Sequence, residues 1–221
     1  MARSLTILLL ASAALLSLAA QLAERRIDFE NHEIGEPPRF MTSAVTGDFK
    51  EGKWIVEPSE GAPSGENVLA QRDADDTEHR YALCTVDGER TADIDAEVQF
   101  KAIAGEVDQA GGIVVRYIDR NDYYLARANA LEDNVRLYSV VQGKRTQLAG
   151  QGVTVAPNEW HKLRLVIQGR QLQVYFNDVM LFEAADDAHR DPGQVGLWTK
   201  ADSITLFDDL VIKAVQQPEK K

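Results

Sequence analysis

Cys84 is the only cysteine among 221 residues, so no internal disulfide staples the chain. It lies in "YALCTV", an apolar run, and reads as a small buried hydrophobe rather than a nucleophile. Basic residues are outnumbered, 24 Lys and Arg against 35 Asp and Glu, for a net charge of −11. Nucleic-acid binding needs clustered cations, and this balance argues against such a partner. His32, His79 and His189 sit in polar segments without a metal-ligand spacing. No Gly-Xaa-Ser-Xaa-Gly elbow and no nucleotide-binding loop occurs, which removes common hydrolase and nucleotide readings. No helical period is found past the N-terminus, and no further apolar run is long enough to span a membrane.

Arg3 leads into the apolar run Leu5 to Ala20, followed by polar "QLAERR". A short cationic lead, an apolar run and small residues at its end form the pattern of a secretory signal peptide, here residues 1–20. An uncleaved anchor is the alternative, although the run is short against the ~20 residues of a typical span. The lipid-modified export signal needs a cysteine just after the run, and none is there. These features predict an exported protein, periplasmic or extracellular, with no membrane span once the signal is removed.

What remains alternates apolar and polar residues at period two over runs such as "RRIDFE", "ADIDAEVQFKAI", "HKLRLVI" and "SITLFDDLVIKAV". Turn signals divide the runs: Asp119 to Asp122, Gln142-Gly143-Lys144, Gln168-Gly169-Arg170 and Asn177-Asp178. More than ten short strands joined by short turns predict an all-β, two-sheet antiparallel jelly-roll sandwich over residues 24–215, with the first and final strands adjacent. Gly35 to Gly65 reads as long surface loops around a short strand at Trp54, and residues 216–221 as a frayed tail.

The stretch "DQAGGIVVRYIDRNDYYLARAN" places arginines where a sandwich strand usually carries hydrophobes. Gly111-Gly112 permits a close backbone approach that a side chain would block. Alternation puts Val114, Arg116 and Ile118 on one face, and Tyr123, Leu125, Arg127 and Asn129 on one face of the next strand. Arg136 and Tyr138 share a face of the strand after that, and Trp198 with Lys200 in "GLWTK" closes one end. Planar guanidinium donors beside tyrosine faces suit a sugar ring, a uronic acid or a keto-sugar. The alternative is that the arginines pair with Asp93, Asp95, Glu97 or Asp108 and solvate the wet face of an antiparallel sheet.

"NEWHKLRLVIQGRQLQVYFNDVMLFE" resembles the laminin-G-like pattern of the concanavalin A-like lectin and glucanase superfamily. "GGIVVRYIDRNDYYLARANALEDNVRLYSVVQGKR" is similar to the bacterial 3-keto-disaccharide hydrolase domain group, also described as family-16-like glycoside hydrolases. The likeness runs from Ile27 to Val215. It implies a concanavalin A-like jelly roll with a carbohydrate or glycoside ligand in a concave-sheet groove, and leaves catalysis open. A non-catalytic envelope or extracellular binding protein is the alternative. In the laminin-G-like pattern the Trp160-His161 pair is mainly structural.

The same resemblance directs attention to "ADIDAEVQF". Family 16 glucanases carry Glu-Xaa-Asp-Xaa-Glu, with the glutamates as nucleophile and acid/base, and Asp93, Asp95 and Glu97 hold the corresponding positions. Retaining glycosidases need carboxyl groups ~5–5.5 Å apart, which neighbours on one strand face can reach. Asp93 is one methylene shorter than glutamate, however, and a misplacement of about an ångström costs on the order of 100-fold. A solvent-facing polar edge explains the strand equally. Related jelly rolls also hold a structural calcium between first and last strands. Here Glu30, the carbonyl of Gly35 and Asp208 are the candidate ligands, with hydrogen bonds to loop amides as the alternative; no other cofactor is expected.

Overall fold

A computed structural model describes residues 24–88 and 90–215; the expected signal segment, 1–20, and the expected tail, 216–221, lie outside them. The strands are β1 (Arg25–Ile27), β2 (Met41–Thr46), β3 (Trp54–Pro58), β4 (Asn67–Gln71) and β5 (Tyr81–Val86). β6 (Ile94–Ala104), β7 (Ala110–Asp119), β8 (Asp122–Asn129), β9 (Asn134–Val141) and β10 (Lys144–Gly152) follow. β11 (His161–Gln168), β12 (Gln171–Phe176), β13 (Val179–Ala185), β14 (Gln194–Lys200) and β15 (Ile204–Ala214) complete the order. They form two antiparallel sheets. One runs β13-β12-β11-β6-β15-β4-β3, with β1 also on β15; the other runs β10-β9-β8-β7-β14-β5-β2.

Period-two patterning builds the core. On β6, Ile94, Ala96, Val98 and Phe100 are buried while Asp95, Glu97 and Gln99 stay partly exposed. Leu163, Leu165 and Ile167 on β11 match them across the ladder, and Cys84, Ile113, Ala126 and Leu137 meet them from the other sheet. Cys84 is fully buried and its thiol is pushed up by desolvation, as suits a core residue. His161 is buried as well, its Nε2 2.9 Å from the Ala156 carbonyl and its ring against Phe100 and Phe176. The Gly35 to Gly65 segment holds more order than its composition predicts. "MTSAVT" forms β2, the edge of the seven-stranded sheet, paired with β5 from Met41–Val86 to Thr46–Tyr81.

Arg116 departs from the expected parity. The β7–β8 register shifts between Val115 and Asp119, and Arg116 sits in that bulge with a φ of 47°. Gly193 makes room for it, since a Cβ there would lie 2.3 Å from the Arg116 carbonyl carbon. Its side chain is 2 % exposed. It donates to the carbonyls of Ala92 (2.6 Å), His189 (2.7 Å) and Gly169 (2.8 Å), and lies 3.4 Å from Asp93. His189, expected in a polar loop, is buried in the same bracket: Nε2 is 2.8 Å from the Val140 carbonyl, and its N–H donates to the Tyr124 hydroxyl. Arg116 therefore ties β7 to the turn between β11 and β12 and to the entry of β6.

The first and last strands are adjacent, with Arg25–Ile212 to Ile27–Leu210 in register and Arg26 Nη2 2.7 Å from Asp209. Beside them, Asp208 accepts from the Ser64 N–H (2.9 Å) and the Asp209 N–H (2.7 Å). Ser64 Oγ lies 3.2 Å from Asp208 and 2.9 Å from Asp209, one hydroxyl proton between two carboxylates. Glu30 accepts from the N–H groups of Glu66 and Asn67, and the Gly35 N–H donates to the Val56 carbonyl. Among the described residues no three His, Cys, Asp or Glu side chains form a metal-holding group. Amides of the loop at 64–67 donate to both the Glu30 and the Asp208 carboxylates, the arrangement the sequence offers as the alternative to calcium. Burial raises the Asp208 carboxyl to about 6 against the pull of the Ser64 and Asp209 amides.

Two outcomes are expected. Arg116→Met leaves three carbonyls, that of His189 buried, without their donor and lowers unfolding free energy in urea titrations by roughly 3 kcal/mol. For Asp208, the folded state holds the proton more tightly than the unfolded chain, so its contribution is full below the ordinary carboxyl value of 3.8 and is lost as pH rises through about 6. Asp208→Asn is therefore more stable than wild type at pH 8, by ~1–3 kcal/mol, and the difference closes towards pH 4 in parallel melts.

Candidate functional site

The outer face of the seven-stranded sheet is not wet. Tyr81, Leu83, Val114, Tyr123, Leu125, Tyr138, Val140 and Trp198 form a second buried apolar cluster there, separate from the inter-sheet core. Cross-strand partners run unbroken through Arg136, Arg127, Gly112, Trp198, Leu83 and Ala44. A parallel row runs through Gln147, Tyr138, Leu125, Val114, Gly196 and Thr85. Gly112 is needed in the first row: a Cβ would lie 2.8 Å from Leu125 Cδ1 and 3.2 Å from Arg127 Cβ.

Contacts across this face require strong curvature. Arg145 on β10 lies 4.8 Å from the ring of Tyr81 on β5, five strand spacings away in the sheet order. On a flat sheet that separation is about 24 Å, beyond the combined reach of the two side chains. The Tyr123 hydroxyl is 2.7 Å from Thr46 Oγ1, and the Gly47 N–H donates to Asn121, joining the edge strand β2 to the β7–β8 turn. The sheet is thus concave outward. Its trough is filled by its own rings, with the Arg145 guanidinium above Tyr138 (4.4 Å), Tyr81 (4.8 Å) and Trp198 (6.0 Å).

Polar groups gather at the mouth. Arg127 is buried and donates to Asn134 (2.6 Å) and Glu132 (2.7 Å). Arg136, half-buried, is 3.5 Å from the same Glu132. Against the upward push of burial, hydrogen bonds from Asn134 and Arg127 and the two arginine charges bring the Glu132 carboxyl down to about 2. Asn129 holds the turn through the N–H groups of Leu131 and Glu132 and donates to Asp108 (2.9 Å). Lys200 Nζ reaches Asp108 at 2.6 Å. Burial raises the Asp108 carboxyl, and Lys200 offsets part of that. Asp202 fixes this corner by accepting from the N–H groups of Glu106, Val107 and Asp108. A cavity of about 310 Å³ opens beside Arg136, lined also by Glu132, Asn134, Gln147 and Gly150.

Of the residues expected in the groove, the structure brings together Arg127, Asn129, Arg136, Tyr138, Trp198 and Lys200, and places Arg116 apart in its bracket. Lys200 stands at one end, whereas Trp198 is fully buried in the middle. Asp95 and Glu97 point from the opposite side of the sandwich. Asp95 is held by Arg164 through two bonds of 2.6 Å, and Glu97 is 3.6 Å from Lys162. Asp93 precedes β6 and accepts from the Gly169 N–H (2.8 Å), so the three carboxylates do not share one strand face. Asp95 and Glu97 line a cavity of about 230 Å³ with Arg164, Val211 and Lys213. The sequence placed Tyr123 on this face through its parity with Leu125, and the structure sets it in the outer cluster. Sequence reasoning missed Arg145 and Tyr81, and nothing local marked Arg145.

No match is found among curated proteins. Solved structures with the same jelly-roll fold include the carbohydrate-binding module CBM66 from Bacillus subtilis, at 18% identity and a TM-score of 0.63 over 78% of this chain and 95% of that one. A beta-glucanase from Bacillus licheniformis aligns at 12% identity and a TM-score of 0.60, covering 89% and 100%. Domain 4 of AbnA, a GH43 extracellular arabinanase from Geobacillus stearothermophilus in complex with arabinotriose, aligns at 13% and 0.55, covering 86% and 90%. At these identities the likeness is one of fold. The sequence itself matches a domain family over residues 45–213, nearly all of the sandwich, and by that match the chain belongs to the 3-keto-alpha-glucoside-1,2-lyase-like domain family.

Proposed function

We propose that the protein is an exported glycoside-binding member of its family, with the ligand lying across the mouth of the concave sheet at Arg136, Arg145, Gln147 and Lys200. The observation that carries this reading is an aromatic floor topped by half-buried arginine and lysine donors, with Gln147 exposed beside them, on a sheet face that would otherwise be wet. A sugar ring presents C–H faces to aromatic rings and hydroxyl edges to guanidinium and amide groups. The lectin-like and glucanase-like fold and the 310 Å³ cavity beside Arg136 are consistent with a ligand of that size class. Export rests on the Arg3 and Leu5 to Ala20 pattern of the N-terminus.

A second reading is catalytic and rests on Asp108. In a 3-keto-glycoside the ketone acidifies the C2 proton. A base removes it, the C1–C2 double bond forms, and O1 leaves with the bonding pair and takes up a proton. A carboxylate raised by burial is the stronger base, and Lys200 at 2.6 Å carries a proton to give. Two-carboxylate hydrolysis at Asp95 and Glu97 has less support, because both are engaged by cations on the other side of the sandwich.

The test is a screen of glycans and 3-keto-glycosides on the purified mature chain, reading binding by calorimetry and turnover together. Arg136→Ala with Gln147→Ala is expected to weaken binding roughly tenfold or more. Asp95→Asn with Glu97→Gln leaves affinity unchanged; a comparable loss there moves the site to the other sheet. For the catalytic reading, Asp108→Asn abolishes turnover of a 3-keto-glycoside while binding persists. Undiminished turnover in that variant removes Asp108 as the base.

A further inference from the structure

We infer that the ligand's sugar carries a carboxylate and that Arg145 is the residue recognising it, an inference that rests on the glycoside-binding reading above. Arg145 differs from its neighbours in what it leaves unused. Arg127 is spent on Asn134 and Glu132, Arg136 faces Glu132, and Lys200 faces Asp108. Arg145 touches three aromatic rings and, among the described residues, makes no hydrogen bond or ion pair; its Nη1 is buried without an acceptor.

Ring contacts set the guanidinium over aromatic faces and offer no lone-pair acceptor to its N–H bonds. The three contacts therefore hold the group in place without consuming its donors. A guanidinium fixed with its in-plane edge unspent is preorganised for a planar two-oxygen acceptor, which a carboxylate is and a lone hydroxyl is not. Nη1 is itself covered by the protein, so the edge a ligand meets is the one formed by Nε and Nη2, which suits a bidentate carboxylate. The charge balance points the same way. At the mouth, Arg127, Arg136, Arg145 and Lys200 face only Glu132 and Asp108, a local cationic surplus in a chain of net charge −11. A uronic acid meets both demands, placing its ring at the aromatic floor and its carboxylate at the Arg145 edge.

The experiment titrates the mature chain with matched pairs of methyl glycosides that differ only in carboxylate against hydroxymethyl: glucuronide and glucoside, galacturonide and galactoside, mannuronide and mannoside. Amide chemical shifts report the binding. At least one uronide is expected to bind roughly tenfold tighter than its neutral partner. Arg145→Gln, checked for fold by its melting curve, abolishes that preference. Equal affinities within every pair overturn the inference in the wild-type protein alone, whether or not the variant folds, and leave glycoside binding standing. A preference that survives Arg145→Gln overturns the role of Arg145. Absence of binding by every glycoside, together with a blank glycan screen, removes both readings.

Discussion

A seven-stranded sheet that curls until β10 reaches across to β5 must line the inside of the curl. Here the lining consists of tyrosines, a tryptophan and the guanidinium of Arg145, with the Tyr123–Thr46 and Asn121–Gly47 hydrogen bonds holding the edges in place. The other features of the face follow from that curvature. Apolar rings on an outer sheet face become buried because the sheet itself shades them. Polar groups long enough to pass the rings, Arg136, Gln147 and Lys200, emerge at the rim. The trough is consequently a second small core with a charged mouth, rather than an empty groove.

The curl needs a fixed backing, which the inter-sheet core and the Arg116 bracket provide. An arginine buried between loops costs desolvation unless its donors are satisfied. Three carbonyls and a carboxylate from separate segments do this for Arg116. The bulge that turns Arg116 away from the outer face also lets Tyr117, out of alternation with Val114, rejoin the outer cluster. The extra residues in β7, one against β14 and two against β8, thus serve both sides of the sheet.

Much of this architecture was legible from alternation. The core faces of β6 and β11, the pairing of first and last strands, and the common face of Arg127, Asn129, Arg136 and Tyr138 all follow from parity and turn spacing. Parity failed at Arg116 because a bulge resets it, and only a weak signal precedes such a reset: a run of apolar residues ending in an arginine with no polar alternation. β2 was missed because "MTSAVT" is made of small and polar residues, suited to a sheet edge where burial is partial. Arg145 was illegible for a different reason. In "QGKRTQLAG" it looks like one more exposed edge residue, and its partners Tyr81 and Trp198 are brought to it by curvature, which no local pattern encodes.

Sandwich geometry also separates the two kinds of chemistry that the sequence placed side by side. Stacked sheets lie about 10 Å apart, and the outward side chains of each point away from the other. Asp95 and Glu97 project from one outer surface, while Arg136, Arg145 and Lys200 project from the opposite one. No single sugar ring spans the core to touch both. A hydrolase built on β6 and a binding site built on the concave sheet are therefore alternatives, not parts of one site. On the concave side the carboxylates at the mouth are Glu132, held near 2 by its arginines, and Asp108, raised by burial beside an ammonium. Glu132 stays ionised and orients its arginines, whereas Asp108 is buried against the Lys200 ammonium. Both carboxylates are thus tied to cations or amides of this face, Asp108 through Lys200 and Asn129 and Glu132 through its arginines and Asn134.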